Sequence, residues 1–373
     1  MTRADLGRLT GLGRAAVSQR VDLLIEHRLV REATDLPSTG GRPPASLVFN
    51  PASGVVLAAD LGVTHARLGV TDLDGNVLAE LADDLEIARG PEHVLDVVGD
   101  QLSELLRQAG KDLTDVRGVG VGVPGPVEFA TGRPVSPPIM PGWDGYAIPD
   151  HLMARFDVPI LVDNDVNIMA VGEHWTNWRA ERNFLFVKVG TGIGCGIIAA
   201  STIYRGEQGA AGDIGHIRVP GHEDVICECG NTGCLEAVAG GRALARAARE
   251  IGFEARNSRD VVALARAQNV QILRLVRQSG RVLGEVLSGL VNAFNPSVIV
   301  IGGDVAEAHE QLFAGVREVV YQRATPLATQ HLEIARSTLG DRAGTLGAAA
   351  LAIEHVLSPE VVDARLAAAT AAA

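Results

Sequence analysis

Five times between residues 55 and 304, a short run rich in Val, Ile, Leu and Ala stops abruptly at Gly, Asp, Asn or Thr. Val55–Asp60 runs into DLGVTH, Gly118–Gly122 into VPGPV, Ile160–Val162 into DNDVN, Phe184–Val189 into GTGIGCG and Ser297–Ile301 into GGD. Short apolar runs of this kind read as buried strands. Helical patterns, such as Glu92–Gln108 and Ala243–Ile251, lie between them. One glycine-tipped strand says little, because tight turns use glycine anyway. The ordered series restricts the chain to an α/β architecture with ligand loops at the strand ends. Loops of one type near residues 60 and 190 point to two related halves around a cleft.

The chain's 373 residues suit two or three domains. A hydrophobic share of 47% and a charged share of 21% are those of a globular protein, and the 4% of aromatics leaves the cores to Val, Leu, Ile and Ala. No apolar run is long enough to span a bilayer. Thr2 to Glu26 is charged and helical in pattern, unlike a signal peptide. Few cysteines, most of them clustered, fit a reducing cytoplasm better than a disulfide scaffold. The first fifty residues carry a net charge of +2 and the remainder −14. An acidic body repels nucleic acid, so any DNA contact is confined to residues 1–50.

In those fifty residues Thr2 can cap a helix from Arg3 to about Thr10. Gly11-Leu12-Gly13 breaks it, and a second helix runs from about Arg14 to His27. This is the helix-turn-helix pattern, with Arg14, Ser18, Gln19 and Arg20 on the exposed start of the second helix. Strands at Leu29–Glu32 and Ser46–Phe49 then flank DLPSTGGRPP, a wing whose tip carries Arg42 between Gly41 and Pro43. Arginine at a stiff tip suits a narrow minor groove. A winged helix normally has one more helix ahead of these two. The pattern therefore predicts that Leu6, Leu9, Val17 and Leu24 lack a packing partner, and that the missing first helix is encoded upstream of Met1.

Cys227, Cys229 and Cys234 fall within the run CECGNTGCLE, and His216 lies upstream in GDIGH. Together they form H-x10-C-x-C-x4-C, the ligand number of a closed, structural tetrahedral zinc site. Gly230 and Gly233 supply the bends between the cysteines. Asp213 and Glu236 flank the knot, so the metal would shape a binding pocket.

On these motifs the chain resembles the ROK family of transcriptional repressors and sugar kinases, and within it the xylose and N-acetylglucosamine repressor type. The resemblance covers essentially the whole length and rests on GGRPP, DLGVT, VGVPGPV, DNDVN, GTGIG, GDIGH and CECGNTGCLE. It implies an actin-like, hexokinase-like fold of two α/β lobes with a sugar cleft between them. The implied layout is a winged helix-turn-helix at 1–50, a first lobe at 51–165 completed by a helix at about 343–357, and a second lobe at 166–342 with the zinc loop. By resemblance, His216, Cys227, Cys229 and Cys234 are zinc ligands. Gly125, Asn164, Asp165, Asp213, His216 and Glu236 are sugar contacts, with Asp213 standing where the kinases carry Glu.

Asp165 matches the catalytic base of the kinases, and ATP with Mg2+ enters only if that chemistry is retained. The nucleotide loops survive as Asp60, Gly62 and Thr64, as Gly190, Thr191 and Gly192, and as Gly302 and Gly303. Val63 puts a branched side chain where backbone should meet phosphate, and Asp304 puts an anion near the nucleotide. Ile139 stands where the kinases often show asparagine. These departures favour a sugar-responsive regulator over a glucokinase-like enzyme. The implied partners are operator DNA, a sugar effector and a second copy of the chain, as homodimer or higher homo-oligomer, with no membrane.

Overall fold

The computed structural model describes residues 1–33, 46–307 and 310–372. Thr2 accepts from the Asp5 backbone N–H and Asp5 accepts back, which starts α1 (Arg3–Thr10). Gly11, at φ 70°, ends it in the left-handed conformation. Next come α2 (Arg14–Glu26) and the antiparallel pair β1 (Val30–Ala33) and β2 (Ser46–Phe49), with Val30 opposite Phe49 and Ala33 opposite Ser46. Arg42 and the expected wing tip lie outside the described residues. Packing in this module differs from the sequence expectation. Val17 is buried with Val21 and Leu47, and Leu6, Ile25 and Val30 close around them. Leu24 is half-buried, whereas Leu9 is 69% exposed. The hairpin strand β2 supplies the cover for Val17 that two helices alone could not.

The body contains two five-stranded sheets. The first is ordered β5-β4-β3-β6-β9, from β3 (Val55–Leu61), β4 (Ala66–Asp72), β5 (Val77–Asp83), β6 (Val116–Val123) and β9 (Ile160–Asn164). A hairpin of two-residue strands, β7 (Val127–Glu128) and β8 (Arg133–Pro134), stands apart. The second is ordered β12-β11-β10-β13-β14, from β10 (Phe184–Val189), β11 (Ile193–Ala199), β12 (Thr202–Ile203), β13 (Val298–Gly302) and β14 (Glu333–Arg336). In both, the three strands earliest in sequence run antiparallel and the last two join in parallel. The repeat that the loops at 60 and 190 hinted at is thus a repeat of topology, the two-lobed actin-like fold.

Each sheet has helices on both faces. α3 (Pro91–Gln108) and α4 (Ile148–Phe156) cover the outer face of the first sheet. α6 (Leu235–Ala239), α7 (Gly241–Glu250), α8 (Ser258–Arg266), α9 (Val270–Phe294) and α10 (Glu310–Arg323) bury the outer face of the second, with α11 (Pro326–Thr329) beside α9. Helix α7 starts two residues before the predicted Ala243, because Gly241 N–H donates to Gly190 O at 2.8 Å. Between the sheets run α5 (Asp165–Asn177), against β10 and β11, and α12 (Ala343–Val356), against β3 and β6. The two helices cross at glycines. A methyl on Gly172 would strike the Ala343 carbonyl oxygen, and one on Gly347 the Ile168 carbonyl oxygen. Buried Glu173 of α5 accepts from the Ser337 hydroxyl and, at 3.1 Å, from the backbone N–H groups of Thr338 and Leu339. α13 (Pro359–Ala372) follows α12, and no single helix among the described residues is long and apolar enough to cross a membrane.

Candidate functional site

The site is built where strands of both sheets end. Asn164 closes β9 and caps α5: its Oδ1 accepts from Val166 N–H at 2.9 Å and its Nδ2 donates to Gly125 O at 3.0 Å. One Nδ2 hydrogen and one Oδ1 lone pair remain for a ligand. Gly125 is crowded by the following loop, since a methyl there would meet Pro137 at 2.9 Å and Met140 Sδ at 3.0 Å. Asp165, 7% exposed, opens α5 and accepts from Lys188 Nζ at 2.6 Å.

Asp163 anchors this pair from below. It is 2% exposed and accepts from Asn164 N–H at 2.8 Å, Asn167 Nδ2 at 2.8 Å and Arg205 Nε at 2.7 Å. The Arg205 guanidinium also stacks over the Phe129 ring, 3.5 Å from its centre. Asp163 belongs to the first sheet and Arg205 follows β12, an edge strand of the second, so the ion pair joins the two.

The second loop connects this corner to the cysteine knot. Gly190 N–H donates to Gly192 O at 3.0 Å, and exposed Thr191 lies at the turn with its carbonyl accepting from Arg242 N–H at 3.2 Å. The Lys188 stem lies over Gly190, with Cε 3.6 Å from where a Cβ would stand. The Glu236 carboxylate lies against Gly192, leaving no room for a Cβ. Glu236 Oε1 also accepts from Cys227 Sγ at 3.6 Å and lies 4.0 Å from His216 Nδ1.

The knot itself is held by backbone. Cys227 N–H donates to Asn231 O at 2.8 Å, Gly233 N–H to Val225 O at 2.7 Å, and Gly230 and Gly233 sit at φ 88° and 71°. The ligand atoms of His216, Cys227, Cys229 and Cys234 all lie within 4.8 Å of one another. Cys227 Sγ is 3.7 Å from His216 Nδ1, and Cys229 Sγ is 3.7 Å from Cys234 Sγ. A tetrahedron with bonds of about 2.0–2.3 Å has edges of about 3.3–3.8 Å, so the donor set and spacing fit a metal ion. The Asn231 backbone N–H lowers the exposed Cys229 thiol to about 7. His216 turns Nε2 towards Asp213 Oδ1 at 3.9 Å, an ion-pair distance too long for a hydrogen bond.

Several of the loop residues read as nucleotide remnants are already engaged. Asp60 is buried against the start of α12, where a methyl on Gly344 would strike its carboxylate. Burial pushes its carboxyl up to about 7 against the opposing pull of Lys188, with Asp165 adding to the rise. The His65 ring lies over Gly62 and fills the space a Cβ would need, while Val63 and Thr64 face solvent. Gly302 meets the Phe186 ring, and Gly303, at φ 87°, meets the Val189 backbone. Asp304 is no free anion: Ser258 Oγ donates to it at 3.1 Å and Arg259 Nε lies 3.8 Å away. In the amino-terminal module Arg14, Gln19 and Arg20 are exposed, but Ser18 accepts from Arg3 at 2.9 Å and donates to Asp22 at 3.3 Å.

Lys188, Asp163, Arg205 and His65 escaped the sequence reading. Lys188 had a signal, as the lone charge in FLFVKV. Asp163 had one too, beside Asn164 in DNDVN.

The model of the ROK family matches residues 56–355. The chain belongs to the ROK family. A xylose repressor of Caldicellulosiruptor bescii is 30% identical over 373 residues, covering 96% of this chain and 93% of that one. A glucokinase of Halalkalibacterium halodurans is 32% identical, covering 78% of this chain and 92% of that one. Among solved structures, a ROK family transcriptional regulator, homolog of the Escherichia coli MLC protein, superposes with a TM-score of 0.85 at 25% identity, over 98% of this chain and 94% of that one.

Proposed function

We propose that this ROK protein is a sugar-responsive transcriptional repressor. Its winged helix holds operator DNA through Arg14, Gln19, Arg20 and Arg42. The carrying observation is that α1, α2 and the β1–β2 hairpin precede the two-sheet body, and that a xylose repressor matches 96% of the chain whereas a glucokinase matches 78%.

Gly125, Asn164, Asp165, Asp213, His216 and Glu236 line the cleft for a neutral sugar. Asn164 and Asp165 offer an amide and a carboxylate side by side, which suits neighbouring hydroxyls. Zn2+ on His216, Cys227, Cys229 and Cys234 supplies a structural cross-link that fixes Glu236 and the imidazole. Sugar binding draws the two lobes of a dimer subunit together, and that changes the spacing of the paired winged helices on the operator.

Thermal shift across a sugar library, followed by a footprint with and without the hit, tests this reading. Asp165→Ala removes a charged acceptor worth about 1.5–3 kcal/mol, so affinity for the hit falls roughly tenfold to a hundredfold by calorimetry. Unchanged affinity takes Asp165 out of the site. Kinase chemistry is the second reading, because the GTG loop is intact and Asp165 opens α5 as a base should. A coupled ADP assay over the hexoses decides it: turnover with any of them would make the chain an enzyme.

A further inference from the structure

Five residues, 50–54, separate the last strand of the amino-terminal module from β3, the first strand of the body. They are bonded at both ends. On the module side Asn50 N–H donates to Leu29 O at 2.9 Å and its Nδ2 to Arg28 O at 2.7 Å, at the turn that follows α2. On the body side Pro51 O accepts from Leu73 N–H at 3.2 Å, and Ser53 O accepts from Arg117 Nη2 at 2.9 Å. Arg117 reaches this segment because the pairing of β3 with β6 slips there. Val55 lies opposite Val116 and Val56 opposite Gly118, so β6 carries one extra residue, Arg117. A bulge of this kind re-aims a side chain. The guanidinium also donates to Thr114 O at 2.7 Å, and the stem covers Gly54, where a Cβ would stand 2.5 Å from Arg117 Cγ. Gly54 is fully extended at φ 179°, a backbone open to any residue, so its missing side chain makes room for the arginine and does not relieve the backbone.

We propose that Arg117 is the positioning residue of the winged helix. It fixes residues 50–54 to the first sheet, so the DNA-binding module turns with the first lobe instead of swinging on a free tether. Relative motion is the default for two modules joined by an unbonded linker, and these contacts remove it. Strand β6 carries Arg117 near one end and, at the other, Val123 opposite Asn164, so the module and the cleft are held by one strand. The two winged helices of a dimer then keep a spacing set by their lobes, which is the spacing that lobe closure has to alter. That use rests on the repressor reading above. The fixation itself does not.

The test uses full-length, zinc-loaded protein with neither DNA nor sugar, read by amide hydrogen exchange and by nitrogen relaxation. In wild type the Ser53 and Leu73 amides are protected, and α1 and α2 tumble with the body. Arg117→Ala speeds exchange at both amides by at least about tenfold and shortens the correlation time of α1 and α2, while residues 119–123 keep wild-type protection. Gly54→Ala does the same with the guanidinium retained, because the methyl takes the place of its stem; this variant carries the test if Arg117→Ala misfolds. In the double variant the methyl has room, so exchange is no faster than in Arg117→Ala alone. A wild-type module that tumbles independently of the body overturns the proposal, as do unchanged exchange in the single variants or effects that add in the double one. Loss of protection spread through residues 119–123 overturns it too, since Arg117 would then only prop the sheet. Failure of the sugar footprint described above condemns the repressor reading and leaves the exchange result standing.

Discussion

Replacing Asp163 with alanine tests whether the two halves are tied by an ion pair. The carboxylate is 2% exposed and accepts three hydrogen bonds, from Arg205, Asn167 and Asn164. The Arg205 side chain is 17% exposed, so water reaches it poorly when its partner is gone. Breaking a buried pair from one side costs about 3–5 kcal/mol, because a charge is left uncompensated. Asp163→Asn keeps the shape and loses the charge, for about 1.5–3 kcal/mol. Asp163→Ala with Arg205→Met leaves no unpaired charge, so the pair of changes costs less than the sum of the single ones. Urea unfolding at neutral pH measures wild type, Asp163→Ala, Asp163→Asn, Arg205→Met alone and the double variant. The reasoning is wrong if Asp163→Ala lies within about 1 kcal/mol of wild type, or if the double variant equals the sum.

Three further outcomes are expected. Cys229→Ser loses metal by elemental analysis and sugar affinity by calorimetry together, since the lost ligand loosens the loop that carries Glu236; normal affinity in a metal-free variant would separate the cluster from the ligand site. The Asp60 carboxyl is raised from 3.8 to about 7, so its contribution to stability is present below about pH 4 and is lost as pH rises to about 7. The stability difference between wild type and Asp60→Asn therefore declines across that window and is level above it; a flat difference between pH 4 and 7 would contradict the burial argument. Gly347→Ala forces a methyl into the Ile168 carbonyl and destabilises by at least about 1–3 kcal/mol on thermal unfolding, unless the helices separate without cost, which an unchanged melting temperature would reveal.

Much of this was legible in the chain. Apolar runs ending in glycine or aspartate marked the strands β3, β6, β9, β10 and β13, because buried parallel strands carry no polar alternation and must stop at a turn. The cysteine spacing marked the knot, because metal ligands need short loops. What the chain could not state is which side chains cross between halves. Arg205 lies 42 residues from Asp163, and nothing local distinguishes it from a surface arginine. Asp304 read as a loose anion because its partner Ser258 lies 46 residues earlier in the sequence. The cover over Val17 was missed for a similar reason: Leu47 arrives from a strand beyond the expected wing.

The crossing of α5 and α12 gives the molecule a clamped joint. Helix α5 has 13 residues, a beam of about 20 Å. It is clamped at Ile168 and Gly172, where backbone rests on backbone. At its start Asn164 and Asp165 are held by Gly125 and Lys188, and one residue past the crossing Glu173 is pinned to the loop at 337–339. The beam ties the end of β9 to the loop that follows the edge strand β14. A side chain larger than glycine at 172 or 347 would therefore pry at the inner helices of both sheets at once.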